Sequence, residues 1–143
     1  MNRREALFAT SALIAAGAAA AAEDHSHHHH AGAHPWQAVL DTAGICIEKG
    51  EICLTHCIML LGEGDKTMAA CATSVREMLA SCRALITLAG AESKFAPKLA
   101  ALCVDVCKNC EAECKKHATK HTPCKECMDS CAECAKACKA MIG

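Results

Sequence analysis

Cysteine is the residue type here that could do chemistry: fourteen occur among 143 residues, beside two Phe, one Trp and no Tyr. Their spacing is periodic. Cys103, Cys107, Cys110 and Cys114 step by four, three and four, and Cys124, Cys127, Cys131, Cys134 and Cys138 by three, four, three and four. Those intervals bring side chains to one face of an α-helix, within roughly 60° of arc for the first group and roughly 80° for the second. Cys46, Cys53 and Cys57 follow at seven and four, and Cys71 and Cys82 at eleven, close to three helical turns. Four segments thus each aim sulfur in one direction, in stripes where a helix normally carries Leu, Ile, Val and Phe.

Disulfides, zinc, iron-sulfur clusters and a multinuclear Cu(I) store could all use such stripes. Helical neighbours three or four apart have Cβ atoms about 5 to 6 Å apart, whereas a disulfide wants about 3.8 Å, so stapling along a stripe is disfavoured. Two metal–sulfur bonds of about 2.3 Å span about 4.6 Å, which suits a bridging metal better. Structural zinc takes one pair of cysteines from a tight turn and a second pair from elsewhere, but these pairs overlap in continuous ladders. Four thiolates around a divalent ion also leave two uncompensated buried charges at each site, whereas a monovalent ion matches thiolates one to one. The run Cys103 to Cys114 lacks the proline-terminated ferredoxin spacing. Thiolates and thioethers select Cu(I). A broad zinc-binding buffer of the metallothionein type is the main competing reading. No catalytic constellation is present, and a thiol oxidoreductase built on Cys124-Lys125-Glu126-Cys127 would lack its usual strand–helix context.

The elements that must position these sulfurs are four helices. Pro35 opens the first, apolar residues recur through Val39, Leu40, Ile45, Ile52 and Leu60, and Gly62 and Gly64 end it near Leu61. Asp65 caps a second helix of about 24 residues, which carries Met68, Cys71, Val75, Met78, Cys82 and Leu85 and stops at Gly90. Ser93 to Pro97 begins the third, which runs to about Lys116, and Thr122-Pro123 begins the fourth, which runs from Cys124 to about Met141. No segment alternates with period two. The expected fold is all-α, an antiparallel up-down-up-down four-helix bundle with a cysteine-lined core, over residues 35–143.

In that topology the end of the first helix, the start of the second, the end of the third and the start of the fourth share one end of the bundle. That end collects His56, Met59, Met68, His117 and His121. His117 and His121, set among Lys115, Lys116 and Lys120, read as exposed loop residues. Met78 reads as core packing.

The N-terminal residues have a different character. Arg3 and Arg4 precede an apolar stretch from Ala6 to Ala22 that ends in small residues, which reads as an export signal over residues 1–22. The arginine pair suggests the twin-arginine route, although the flanks depart from its usual motif. Folded export would spare the thiols from an oxidising compartment. Residues 23–34, with His25, His27 to His30 and His34, read as a disordered tether: either a solvated spacer or a weak collector of divalent metal. The expected location is exported, periplasmic or associated with internal membranes, with no membrane span in the mature protein. A net charge of −1 and the absence of a dense basic face exclude nucleic acid as a partner.

Over residues 35–143 the chain resembles the bacterial copper storage proteins in their exported form. The Cys-rich helices, Cys53-Leu54-Thr55-His56-Cys57, and the run from Cys124-Lys125-Glu126-Cys127 through Cys134 and Cys138 carry the resemblance. It implies a tube holding many Cu(I) ions on pairs of thiolates, a homotetramer of such bundles, and copper kept for copper-dependent enzymes through a donor or acceptor not identifiable from the chain. The stripe cysteines match copper ligands, with Cys103 one turn before the best-matched part of its helix. His56 and Met68 match a histidine and a methionine that bind at the open end of the bundle. The family's second methionine there falls at Leu60, so Met59 either substitutes for it or packs.

Overall fold

The computed structural model describes residues 34–143. The expected export signal, and the tether apart from His34, lie outside the described residues. The four helices are α1 (Gln37–Gly62), α2 (Ala69–Gly90), α3 (Ala96–Lys115) and α4 (Thr122–Ile142). Each packs against its neighbours in sequence, α4 closes against α1, and among the described residues the backbones of diagonal pairs stay apart. The bundle is therefore a ring of four antiparallel helices around an interior that side chains must fill.

Local chemistry sets the boundaries. Asp65 does cap, but what it caps is a single 3₁₀ turn, Lys66–Met68: its carboxylate accepts from Thr67 N at 3.0 Å and Thr67 Oγ1 at 2.6 Å. The second α-helix starts only at Ala69 and has 22 residues, shorter than the spacing predicts. Gly64 (φ +98°) supplies the left-handed step that lets the chain leave α1 and reach that cap. Pro97 and Pro123 occupy the first turns of α3 and α4, where a missing N–H costs nothing. α1 starts at Gln37, two residues after Pro35, because His34 Nδ1 accepts from Trp36 N at 3.1 Å and holds a turn ahead of the helix.

The core has two zones. At the end formed by the start of α1, the end of α2 and the start of α3, the interior is apolar: Val39, Ala43, Leu85, Ala89, Ala96 and Ala100 are all buried. Beyond this plug every fully buried position of α3 and α4 is cysteine, with Val104, Ser130 and Ala135 nearly buried beside them, and on α4 the column from Cys124 to Cys138 extends about 21 Å at helical rise. On the outside, Lys49 pairs with Glu126 at 3.2 Å between α1 and α4, and Arg83 pairs with Glu51 between α2 and α1. Such exposed pairs fix register more than they stabilise.

Candidate metal centre

All fourteen cysteines are fully buried and all are free thiols. The sulfurs meet mostly across helices. Cys71 and Cys114 are 3.5 Å apart, Cys46 and Cys131 3.6 Å, Cys57 and Cys71 3.7 Å, Cys53 and Cys124 3.8 Å, and Cys110 and Cys127 3.9 Å. Cys82 lies 4.0 Å from both Cys107 and Cys134. The spacing predicts bridges along a stripe, but within one helix only Cys110 and Cys114 come as close as 4.0 Å. The reason is geometric: a stripe facing a narrow interior brings each sulfur nearer to the opposite stripe than to its own next turn.

These separations are well beyond an S–S bond of about 2.05 Å. They fall short of the 4.6 Å of a linear S–metal–S unit, and run up to the roughly 4.0 Å edge of a trigonal site with 2.3 Å bonds. Four sets of sulfurs gather tightly enough to share an ion: Cys46, Cys82, Cys107 and Cys134; Cys53, Cys57, Cys71 and Cys124; Cys53, Cys114 and Cys127; and Cys110, Cys127 and Cys131. Three of the sets overlap at Cys53 and Cys127, and the 3.6 Å contact of Cys46 with Cys131 joins the first set to them, so the column is a continuous network. Cys103 faces Cys82, and Cys138 faces Cys134, at the deep end beside the apolar plug.

Among the described residues the only buried polar side chains are Ser74 and Ser130. Both hydroxyls donate to carbonyls on their own helix, Cys71 O and Cys127 O, at 2.9 Å. With no buried cation among the described residues, nothing but neighbouring thiols can stabilise a thiolate in the apo interior. Protonation is uneven within it. The Cys46 thiol is drawn down to about 5 by hydrogen bonds from Cys107 and Cys131, and Cys71 is held below the ordinary thiol range, first by Cys114. Cys53 is pushed up by Cys114, Cys124, Cys127 and Cys57 and then by burial; Cys82 is pushed up by Cys103, Cys107, Cys134 and Cys46 and then by burial. A thiol that donates to its neighbours keeps its proton, and one that accepts is stabilised as a thiolate.

The end opposite the plug carries the other soft ligands. Met68 is fully buried. His56 Nε2 lies 3.0 Å from His121 Nδ1, both rings are partly buried, and their centroids are 4.9 Å apart. His117 stands farther off, 6.5 Å from the His121 ring. The structure does not bring Met59 to this group: it is 51% exposed, because two residues after Cys57 a helix has turned about 200° away from the sulfur face. Two contacts at the site are not legible in the sequence. His121 reads as a loop residue, and only the docking of the α3–α4 turn against the end of α1 makes it a partner of His56. Met78 is fully buried, with its Sδ 3.3 Å from Cys46 Sγ. Its signal was register, seven residues after Cys71 and four before Cys82.

Known proteins share this arrangement. Residues 32–143 match the family model described as Csp, copper storage protein. The Bacillus subtilis (strain 168) protein described as "uncharacterized cysteine-rich protein YhjQ" is 29% identical over 105 residues, covering 73% of this chain and 94% of that one. Among solved structures, apo-Csp3 (copper storage protein 3) from Bacillus subtilis superposes with a TM-score of 0.66 at 28% identity, covering 75% of this chain and 98% of that one. The Cu(I)-bound copper storage protein BsCsp3 superposes with a TM-score of 0.67 at 26% identity, covering 75% of this chain and 97% of that one.

Proposed function

This chain belongs to the copper storage protein family, and on that premise we propose that it stores many Cu(I) ions on the thiolates lining its bundle and keeps them for copper-dependent enzymes. The observation that carries the reading is the column of fourteen buried free thiols in an interior with no buried cation among the described residues. Each ion that binds a thiolate replaces one proton with one positive charge, so loading leaves the interior neutral however many ions enter. A relative solved in an apo form and one solved with Cu(I) match this fold about equally, which supports a bundle formed before copper arrives.

Copper enters and leaves at the end bearing His56, His121 and Met68. Imidazole and thioether bind Cu(I) without first losing a thiol proton, so they can accept an ion and pass it to Cys57, Cys71, Cys114 and Cys124 behind them. From there it moves by exchange between sulfurs 3.5 to 4.0 Å apart. The apolar plug leaves no ligand path at the other end.

The chain is exported, by the twin-arginine route, and assembles as a homotetramer. Exposed Ile45, Ile52 and Met59, seven residues apart on α1, offer an apolar stripe for that assembly. No helix among the described residues is long and apolar enough to cross a membrane.

One observation favours a second reading. The four sulfurs of Cys46, Cys82, Cys107 and Cys134 could surround a single divalent ion, as in a metallothionein-like zinc buffer. That site would hold two uncompensated negative charges. Titration of the reduced mature protein with Cu(I) against a chromophoric chelator separates the two. Storage predicts more than about ten ions per chain, little displaced by Zn(II); saturation at three or four would favour isolated zinc-like sites.

A further inference from the structure

The sulfur column has two gaps, and they face each other. On α1 the inward position between Cys46 and Cys53 is Gly50, four residues after the first and three before the second. On α2 the fully buried positions between Cys71 and Cys82 are Val75 and Met78, of which Met78 carries sulfur. The methionine fills the space the glycine leaves: a Cβ on Gly50 would lie 2.5 Å from Met78 Cε and 2.9 Å from Leu79 Cδ2. Only glycine at position 50 lets this side chain lie against the α1 backbone. Met78 Sδ thereby comes within 3.3 Å of Cys46 Sγ, closer than the 3.5 Å of the nearest thiol pair, Cys71 and Cys114. Cys46 Sγ is in turn 3.6 Å from Cys131 Sγ.

We propose that Met78 is a copper ligand midway along the tube, in a site that Gly50 makes possible: a Cu(I) ion held by the Cys46 thiolate and the Met78 thioether, with the Cys131 sulfur within reach as a third donor. The proposal rests on the copper-storage reading. Cys46 binds as a thiolate, and the thioether binds uncharged with no proton to lose. The ion, one thiolate and one neutral thioether sum to zero charge, which this interior requires. A second thiolate in place of Met78 would leave an excess negative charge unless it were shared with another ion. Thioether sulfur is soft enough to select Cu(I), and the flexible Met chain can open its 3.3 Å contact toward the wider span of two metal–sulfur bonds. A methionine that only filled space would need no sulfur there, and leucine would serve equally well.

Selenomethionine-labelled full-length protein, reduced and loaded with Cu(I), tests this at the selenium X-ray absorption edge. In the Met68→Leu variant, which removes the methionine at the mouth, a selenium–copper contact is expected to persist. In Met68→Leu/Met78→Leu it is expected to vanish, with total uptake lower by about one ion, as expected for the loss of one site among many. Circular dichroism should match the parent, since Met-to-Leu conserves volume. Absence of the contact in copper-loaded Met68→Leu, or its survival in the double variant, would overturn the ligand role and leave storage by thiolates standing. Failure of the wild-type protein to take up copper would overturn both.

Discussion

Replacing Cys82 by Ala distinguishes a shared thiolate network from a set of separate sites. Cys82 is fully buried, and its sulfur belongs to the tight group with Cys46, Cys107 and Cys134. If thiolates and Cu(I) are matched one to one, removing one thiolate must remove one ion. Retaining every ion would leave a positive charge in an interior where the only buried polar side chains among the described residues are two serines. An uncompensated buried charge costs several kcal/mol; about 3 kcal/mol alone would weaken the last ion more than a hundredfold. The apo protein should lose only about 1 kcal/mol of stability, the scale for deleting one methyl-sized group from a core. Chelator-competition titration of the reduced variant should give about one ion fewer than wild type, and the Cys82→Ala/Cys134→Ala variant about two fewer. If the single substitution removed three or four ions at once, or none, charge matching across a shared network would be refuted.

Other expectations follow from the same geometry. Reduced, metal-free protein should give the circular dichroism of a folded helical bundle, because protonated thiols pack as small hydrophobes; a random-coil spectrum would contradict a preformed tube. His56→Ala, His121→Ala or Met68→Leu should slow Cu(I) transfer to and from a chelator while removing only a few ions, whereas Met59→Leu, at a side chain 51% exposed, should change neither; stopped-flow rates unaffected by the first three would remove the mouth from the pathway. Copper affinity should weaken as pH falls, since each ion displaces a thiol proton: about tenfold per pH unit for each proton released. The onset should come at higher pH for sites that use Cys53 and Cys82, pushed above the ordinary thiol range, than for one using Cys46, drawn down to about 5; pH-independent affinity would mean that thiolates are not the ligands.

The amino-acid sequence by itself determined the fold class and the nature of the site. Cysteines at intervals of three and four cannot share a face on a strand but must on a helix, and four such faces can be buried together only in a bundle. Thiolate softness narrowed the metal to soft ions, and one-to-one charge matching favoured Cu(I), because that chemistry belongs to the residue type and needs no coordinates. The tertiary structure decided which sulfurs pair. Helical period places Cys110 beside Cys114, but it carries no information about the distance from Cys71 to Cys114 or from Cys46 to Cys131, which depends on how closely two helices approach and in what register. It decided which other soft side chains gather at one end for the same reason. Met59 and Met68 are equally soft on paper, yet one rotates outward while the other is buried by a 3₁₀ turn that brings it over the column. His121 becomes a neighbour of His56 only when the α3–α4 turn docks, and Met78 comes beside Cys46 only because the residue it meets on α1 is a glycine. Periodicity along one chain fixes the direction in which a side chain points; what it meets there is a property of two elements at once.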